Sequence, residues 1–191
     1  ETGMKVLFIG GTGNISTPSS RLAVAKGMDL YVLNRGQAKI EIEGAYSIIG
    51  DINKPEELTE LKKHAWDVVV NWIAFTPEDI ERDIALFKGK TKQYIFISSA
   101  SCYQTPLSCP VITESTPLSN PLWDYSQGKI ACEDRLLEEY RKNGFPIIIV
   151  RPSLTYDTVI PIAIGGFNKY NTAQRILDGK EIIVHGDGTS L

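Results

Sequence analysis

Val6-Leu7-Phe8-Ile9-Gly10-Gly11-Thr12-Gly13-Asn14-Ile15-Ser16 decides the fold: an apolar run ends in a glycine-rich turn, and a helical pattern opens behind it. This order reads as strand, phosphate-holding turn, helix. Glycines are required where the backbone turns sharply and lets a pyrophosphate come close, so that amide N–H groups and the positive end of the helix face the anion. The spacing Gly10-x-x-Gly13-x-x-Ser16 is a G-x-x-G-x-x-G variant of the dinucleotide fingerprint, with serine as the small last residue. An ordinary tight turn between strand and helix has the same composition. The strand-like run before the motif, and Pro18 with an apolar-periodic helix after it, favour nucleotide binding. No Gly-Lys-Ser/Thr follows, which argues against a phosphate-loop ATPase.

The chain then alternates short apolar runs with helical patterns. A second strand, Leu30–Leu33, ends at Asn34-Arg35-Gly36. This is the place, about 20 residues past the glycines, where an acidic side chain would hold the adenosine ribose of NAD. Asn34 occupies it here and Arg35 suits a 2′-phosphate, so NADP is favoured over NAD. A third strand, Ala45–Ile49, leads to Gly50-Asp51-Ile52. Asp51 is placed to accept a hydrogen bond from an adenine amino group and Ile52 to pack on the ring; a plain loop before a helix over Pro55–His64 is the alternative. Asp67–Trp72 is the near-continuous apolar run of a parallel strand covered on both faces. Its carboxyl end, Ile73-Ala74-Phe75, borders the expected cofactor crevice, with Ala74 as a contact.

A helix over Pro77–Lys88, a strand Tyr94–Ile97, a helix Trp123–Lys142 and a strand Pro146–Val150 follow. Further on come a helix Asn171–Leu177 and a strand Glu181–Val184. The alternation predicts an α/β fold with a doubly wound parallel sheet. The Ser/Thr/Pro-rich stretch Ser98–Pro121 reads as an ordered loop, given Tyr103, Leu107, Val111 and Ile112 to bury, and long loops at strand ends form active-site walls.

The 191 residues, 42% hydrophobic and 23% charged, suffice for one sizeable core. A net charge of −3 gives no general attraction to phosphate backbones, so nucleic acid is not an expected partner. There is no long apolar segment and no signal peptide, so no membrane partner is expected and the cytoplasm is the expected compartment. Glu1-Thr2-Gly3 reads as an expression remnant. Cys102, Cys109 and Cys132 lack C-x-x-C spacing and read as free thiols; with only His64 and His185 besides, no metal site is expected.

Two further features turn nucleotide binding into an enzyme reading. Tyr125 and Lys129 stand at i and i+4 in the long helix and share one face. A neighbouring ammonium stabilises a phenolate and brings the phenol towards acid–base work at neutral pH. Ser99, at the end of the fifth strand, is placed to hold the reacting oxygen beside the phenol.

As a set, Gly10-Gly11-Thr12-Gly13-Asn14-Ile15, Gly50-Asp51, Phe96–Tyr103, Tyr125-Ser126-Gln127-Gly128-Lys129 and Arg151–Tyr156 resemble the extended short-chain dehydrogenase/reductase family, the NAD(P)-dependent epimerase/dehydratase group. The resemblance implies a Rossmann fold with Ser99, Tyr125 and Lys129 as catalytic residues. It implies cofactor contacts at Gly10, Thr12, Gly13, Asn14, Ile15, Asn34, Arg35, Asp51, Ile52, Ala74 and Lys129. NADP or NAD is the implied cofactor, and a nucleotide sugar or related hydroxyl compound the implied small-molecule substrate.

Dehydratases of the group carry Asp-Glu where Ala100 and Ser101 stand, so 4,6-dehydration is not expected. The expected organisation is a dinucleotide-binding domain over 4–157 and the start of an incomplete C-terminal substrate lobe over 158–191, the chain reading as truncated. A non-catalytic cofactor-binding or RNA-binding module of the same family is the alternative, the Asn34-Arg35-Gly36 variant also resembling chloroplast RNA-binding relatives. Relatives commonly dimerise, and Ile80, Ile84, Phe87, Leu136 and Leu137 are candidates for such a face or for the core.

Overall fold

A computed structural model of the chain describes residues 3–37, 40–56, 58–156 and 170–183. The chain divides into two compact units, Glu1–Ser153 and Leu154–Leu191. The first contains β1 (Lys5–Ile9), α1 (Ser16–Ala25), β2 (Asp29–Asn34), β3 (Tyr46–Ile49), α2 (Thr59–Lys63), β4 (Trp66–Asn71), α3 (Pro77–Phe87), β5 (Thr91–Ile97), α4 (Asp124–Asn143) and β6 (Ile147–Val150). The second contains α5 (Asn171–Leu177).

The six strands form one parallel sheet in the order β3-β2-β1-β4-β5-β6. Period-two alternation divides the central strands between two cores, whereas the edge strands β3 and β6 leave Ile49, Ile148 and Val150 exposed on one face. In β1, Leu7 and Ile9 join Ile80, Ile84 and Phe87 of α3 and Cys132 and Leu136 of α4, whereas Val6 and Phe8 join Ala23 of α1 and Leu30 and Val32 of β2. Both faces are therefore covered at the sheet centre, as the apolar strands require. The chain crosses from one half of the sheet to the other between β1 and β4. The carboxyl ends of strands flanking such a switch point border a crevice that loops can line.

Local chemistry sets the element ends. Thr76-Pro77-Glu78-Asp79 opens α3 with a reciprocal capping box, the Thr76 hydroxyl accepting from the Asp79 amide and the Asp79 carboxylate from the Thr76 amide. The helix expected over Pro55–His64 contracts to Thr59–Lys63. Asp51 Oδ1 accepts from the Asn53 amide at 2.9 Å and the Asp51 carbonyl from the Lys54 amide at 2.9 Å, so the chain spends these residues on turns. Glu181–Ile183 is not a strand; the Glu181 carbonyl instead accepts from the Arg175 guanidinium. Val184 and His185 lie outside the described residues.

The loop after β5 is ordered differently from expectation. Leu107, Val111 and Ile112 are exposed, and the order comes from backbone hydrogen bonds that join Gln104 to Pro117, Thr105 to Ser119 and Ser119 to Cys102. Ile80, Ile84, Phe87 and Leu136 belong to the core, which removes them from any dimer face. Cys102 and Cys132 are buried and Cys109 exposed, all three as free thiols. No helix among the described residues is long and apolar enough to cross a membrane.

Candidate functional site

A cavity of about 590 Å³ opens along the carboxyl ends of β1, β2 and β4. Of the residues expected to hold a cofactor, Gly10, Thr12, Asn34, Arg35, Asp51 and Ile52 line it. The cavity lining is bare backbone at Gly10, and the glycine after it, outside the lining, lets α1 pack close to the sheet. Gly10 has φ +81°, and a Cβ there would lie 2.5 Å from Ile73 Cγ2. A Cβ on Gly11 would lie 2.9 Å from Val32 Cγ1, and the Ser20 hydroxyl draws the helix in by donating to the Gly11 carbonyl at 2.8 Å. A backbone held free of side chains beside a helix start fits a pyrophosphate-bearing cofactor.

The rest of the turn is placed less directly. Gly13, Asn14 and Ile15 lead into α1 and do not line the cavity; the Gly13 amide donates to Ser16 Oγ at 2.8 Å. At the end of β2, Asn34 Oδ1 accepts from the Gly36 amide at 2.8 Å, a local turn that uses up the oxygen expected to face a ribose. Arg35 is exposed and forms no ion pair with a described residue. Asn53 and Gln37 also line the cavity; as polar loop residues outside any motif, they gave no signal in the sequence.

Phe75, half-exposed in the cavity wall, connects this crevice to the Tyr125 helix. Its ring centroid is 5.8 Å from that of Tyr125, and the Lys129 ammonium lies 4.5 Å above it. Lys129 is 1% exposed, and its Nζ donates to the Ala74 carbonyl at 2.7 Å and the Ile97 carbonyl at 2.8 Å. Ala74 therefore meets Lys129 and is not in the cavity lining. Phe96 and Tyr125 complete an aromatic surround at 4.8 and 5.7 Å. Burial brings the Lys129 ammonium down from 10.5 to about 8.

Tyr125 is half-buried, flanked by Trp123 at 4.8 Å between ring centroids. Its phenol is not brought towards neutrality as the i, i+4 spacing suggested. Burial, and after it the neighbouring Cys102, hold it above the ordinary value against a smaller opposing effect of Ser99, and the ammonium of Lys129 is hydrogen-bonded to backbone carbonyls. Ser99 Oγ lies 2.8 Å from Ser101 Oγ, which accepts from the buried Ser126 hydroxyl at 2.8 Å. A line of hydroxyls thus runs from the end of β5 into the first turn of α4. The structure brings Ser99, Tyr125 and Lys129 together at the carboxyl ends of β4 and β5, next to the cavity wall.

Known proteins share this chain's sequence pattern and fold. A UDP-glucose 4-epimerase from Lactobacillus helveticus is 31% identical over 169 residues, covering 78% of this chain and 51% of the relative. The chain thus spans about half the length of the curated relative it matches. Among solved structures, UDP-glucose 4-epimerase from Brucella ovis in complex with NAD superposes with a TM-score of 0.69 at 21% identity, over 78% of this chain and 51% of that one. UDP-glucose 4-epimerase from Bifidobacterium longum in complex with NAD+ and UDP gives 0.63 at 20%, over 76% and 52%. Pal from Bacillus thuringiensis gives 0.72 at 18%, over 92% and 64%. At these identities the structures establish the fold. Residues 6–191 match the model of the NAD dependent epimerase/dehydratase family, and the chain belongs to that family.

Proposed function

We propose that this chain is the cofactor-binding part of a nicotinamide-dependent oxidoreductase or epimerase acting on a hydroxyl of a nucleotide sugar. The observation that carries the reading is the buried Lys129 ammonium, fixed by two strand-end carbonyls one turn from Tyr125, with Ser99 at the same strand end. The bare backbone at Gly10 makes room for the pyrophosphate, and Asp51 and Ile52 receive the adenine. The bound dinucleotide supplies hydride chemistry. Tyr125, protonated at neutral pH in the free chain, exchanges its phenolic proton with the substrate hydroxyl oxygen, Ser99 orients that oxygen, and Lys129 contributes fixed positive charge and a ribose contact. Residues 158–191 begin the substrate lobe.

The Brucella ovis and Bifidobacterium longum structures are described with NAD, and neither favours NADP. Arg35 alone carries that preference: it is an exposed guanidinium on the cavity lip, beside an asparagine in the place where NAD enzymes use a carboxylate.

Calorimetric titration with NAD+, NADH and NADPH tests the reading. Binding of at least one is expected, and Tyr125→Phe should keep that affinity within about twofold while, in a full-length version, abolishing nicotinamide reduction by UDP-galactose. A folded chain that binds none of the three would refute the proposal.

A further inference from the structure

Beneath the cavity wall lies a buried polar cluster that neither the expected catalytic set nor the cofactor contacts include. Asn71, Asp83 and Tyr94 are each 0% exposed. Asn71 is the last residue of β4; the Trp72 amide still donates to the Ile9 carbonyl of β1, and the two amides after it turn back to the Asn71 side chain. Its Oδ1 accepts from the Ile73 and Ala74 amides, each at 2.8 Å. A carboxamide can present its oxygen there only if its nitrogen faces the other way, and Asn71 Nδ2 donates to Asp83 Oδ2. The same oxygen accepts from the Tyr94 hydroxyl at 2.5 Å, and Asp83 Oδ1 accepts from Arg82 Nε and Nη2 at 3.0 and 2.9 Å. Every contact to Asp83 is a donor, so the carboxylate decides which way the Asn71 amide points.

The consequence reaches Lys129 through one residue, Ala74, whose two peptide groups are held by Asn71 on one side and by Asp79, through the Phe75 amide, on the other. The Ala74 amide is held by Asn71 and the Ala74 carbonyl receives Lys129 Nζ at 2.7 Å. We infer that Asn71, oriented by Asp83, is the positioning residue for Lys129: it fixes the 73–74 backbone so that a carbonyl stands ready for a buried ammonium. A side chain of other shape or polarity at position 71 frees two amides and lets that carbonyl drift. This inference rests on the reading of Lys129 as the cofactor-side lysine, but it concerns only groups of this chain.

The test is an NMR titration of the Lys129 ε-carbon in wild type, Asn71→Ala and Tyr94→Phe, without cofactor. Cys132, Cys102, Asp79 and Glu133 are the titratable or charged groups that act on Lys129, with the Tyr125 ring beside it; all are unchanged in these variants. Asn71→Ala adds no charge, and it should lower the Lys129 midpoint by about one pH unit, a tenfold change in proton affinity, because the ammonium loses its placed acceptor. Tyr94→Phe loosens the same cluster but leaves the Asp83–Asn71 contact, so the midpoint should stay within about 0.3 of wild type.

An unchanged midpoint in folded Asn71→Ala, or an equal shift in both variants, overturns the inference. If Asn71→Ala does not fold, hydrogen exchange of the wild type decides. The Ile73 and Ala74 amides should exchange as slowly as those of β4, although Ile73 is 44% exposed, and exchange at loop rates overturns the proposal. Failure to bind any dinucleotide, with these results intact, would count against the proposed function alone.

Discussion

Lys129→Met separates the cost of the buried ammonium from its use. The folded value, about 8, lies below the ordinary 10.5, so the unfolded chain holds the proton more tightly and the folded state is penalised wherever the lysine is charged. That penalty is full below about pH 8 and fades as pH rises towards 10.5. A difference of about 2.5 pH units corresponds to roughly 3 kcal/mol at neutral pH. Methionine removes the penalty but also the hydrogen bonds to Ala74 and Ile97, about 1 kcal/mol each, so its net gain at neutral pH is on the order of 1 kcal/mol. The pH dependence is the sharper quantity. Between about pH 7.5 and about pH 9.5 the wild type should gain about 2 kcal/mol relative to Lys129→Met. Urea unfolding of both proteins across that window measures it. Parallel curves would show that Lys129 is not a desolvated ammonium in the folded chain, and the electrostatic account of the site would fall with it.

Three other substitutions probe the crevice and its supports. Gly10→Ala forces a side chain into a φ of +81° and against Ile73; dinucleotide affinity measured by calorimetry should fall by at least about tenfold, and unchanged affinity would show that the turn is only structural. Arg35→Asp should move selectivity from NADPH towards NADH by repelling a 2′-phosphate, and equal selectivity in both proteins would place Arg35 outside the binding contacts. Arg151→Met strands Glu133, which is 0% exposed and now accepts from Arg151 at 2.6 Å, so it should cost about 3–5 kcal/mol in urea unfolding. A loss below about 1 kcal/mol would mean that water or Ser98 alone satisfies the carboxylate.

The sheet was legible because parallel strands buried on both faces leave unbroken apolar runs such as Asp67–Trp72, and because glycine positions record backbone clearances that only packing explains. The glycine turn, Asn34-Arg35 and Asp51-Ile52 could be placed at the cavity for the same reason: they follow strand ends at a switch point. Lys129 could be assigned to a helix face, but not its environment. That its ammonium binds carbonyls at 74 and 97 depends on residues 55 and 32 positions away. The Tyr125 expectation went astray on the same ground, since i, i+4 spacing gives proximity and says nothing of the burial that raises the phenol. Asn71, Asp83 and Tyr94 left no trace at all; they occupy unrelated elements and meet only once β4, β5 and α3 are packed.

One short helix connects these observations. At the start of α3, the Asp79 carboxylate accepts from the Phe75 and Thr76 amides, the first of which belongs to the cavity wall. One turn later, Arg82 Nη1 donates to Asn53 Oδ1 at 2.6 Å, on the opposite rim, and to Asp79 Oδ1 at 2.8 Å. Its other nitrogens grip Asp83, which sets Asn71 and through it the carbonyl under Lys129. The Asn53 loop, the wall at Phe75 and the lysine support are therefore tied to three residues on adjoining turns of α3. Cooperative hydrogen bonding stiffens the buried ties of Asp83 to Asn71 and Tyr94, whereas those of Asp79 and Arg82 to Phe75, Thr76 and Asn53 lie at the surface. Side chains of α3 thus reach both rims of the crevice and the support of Lys129, so the three are built on one frame.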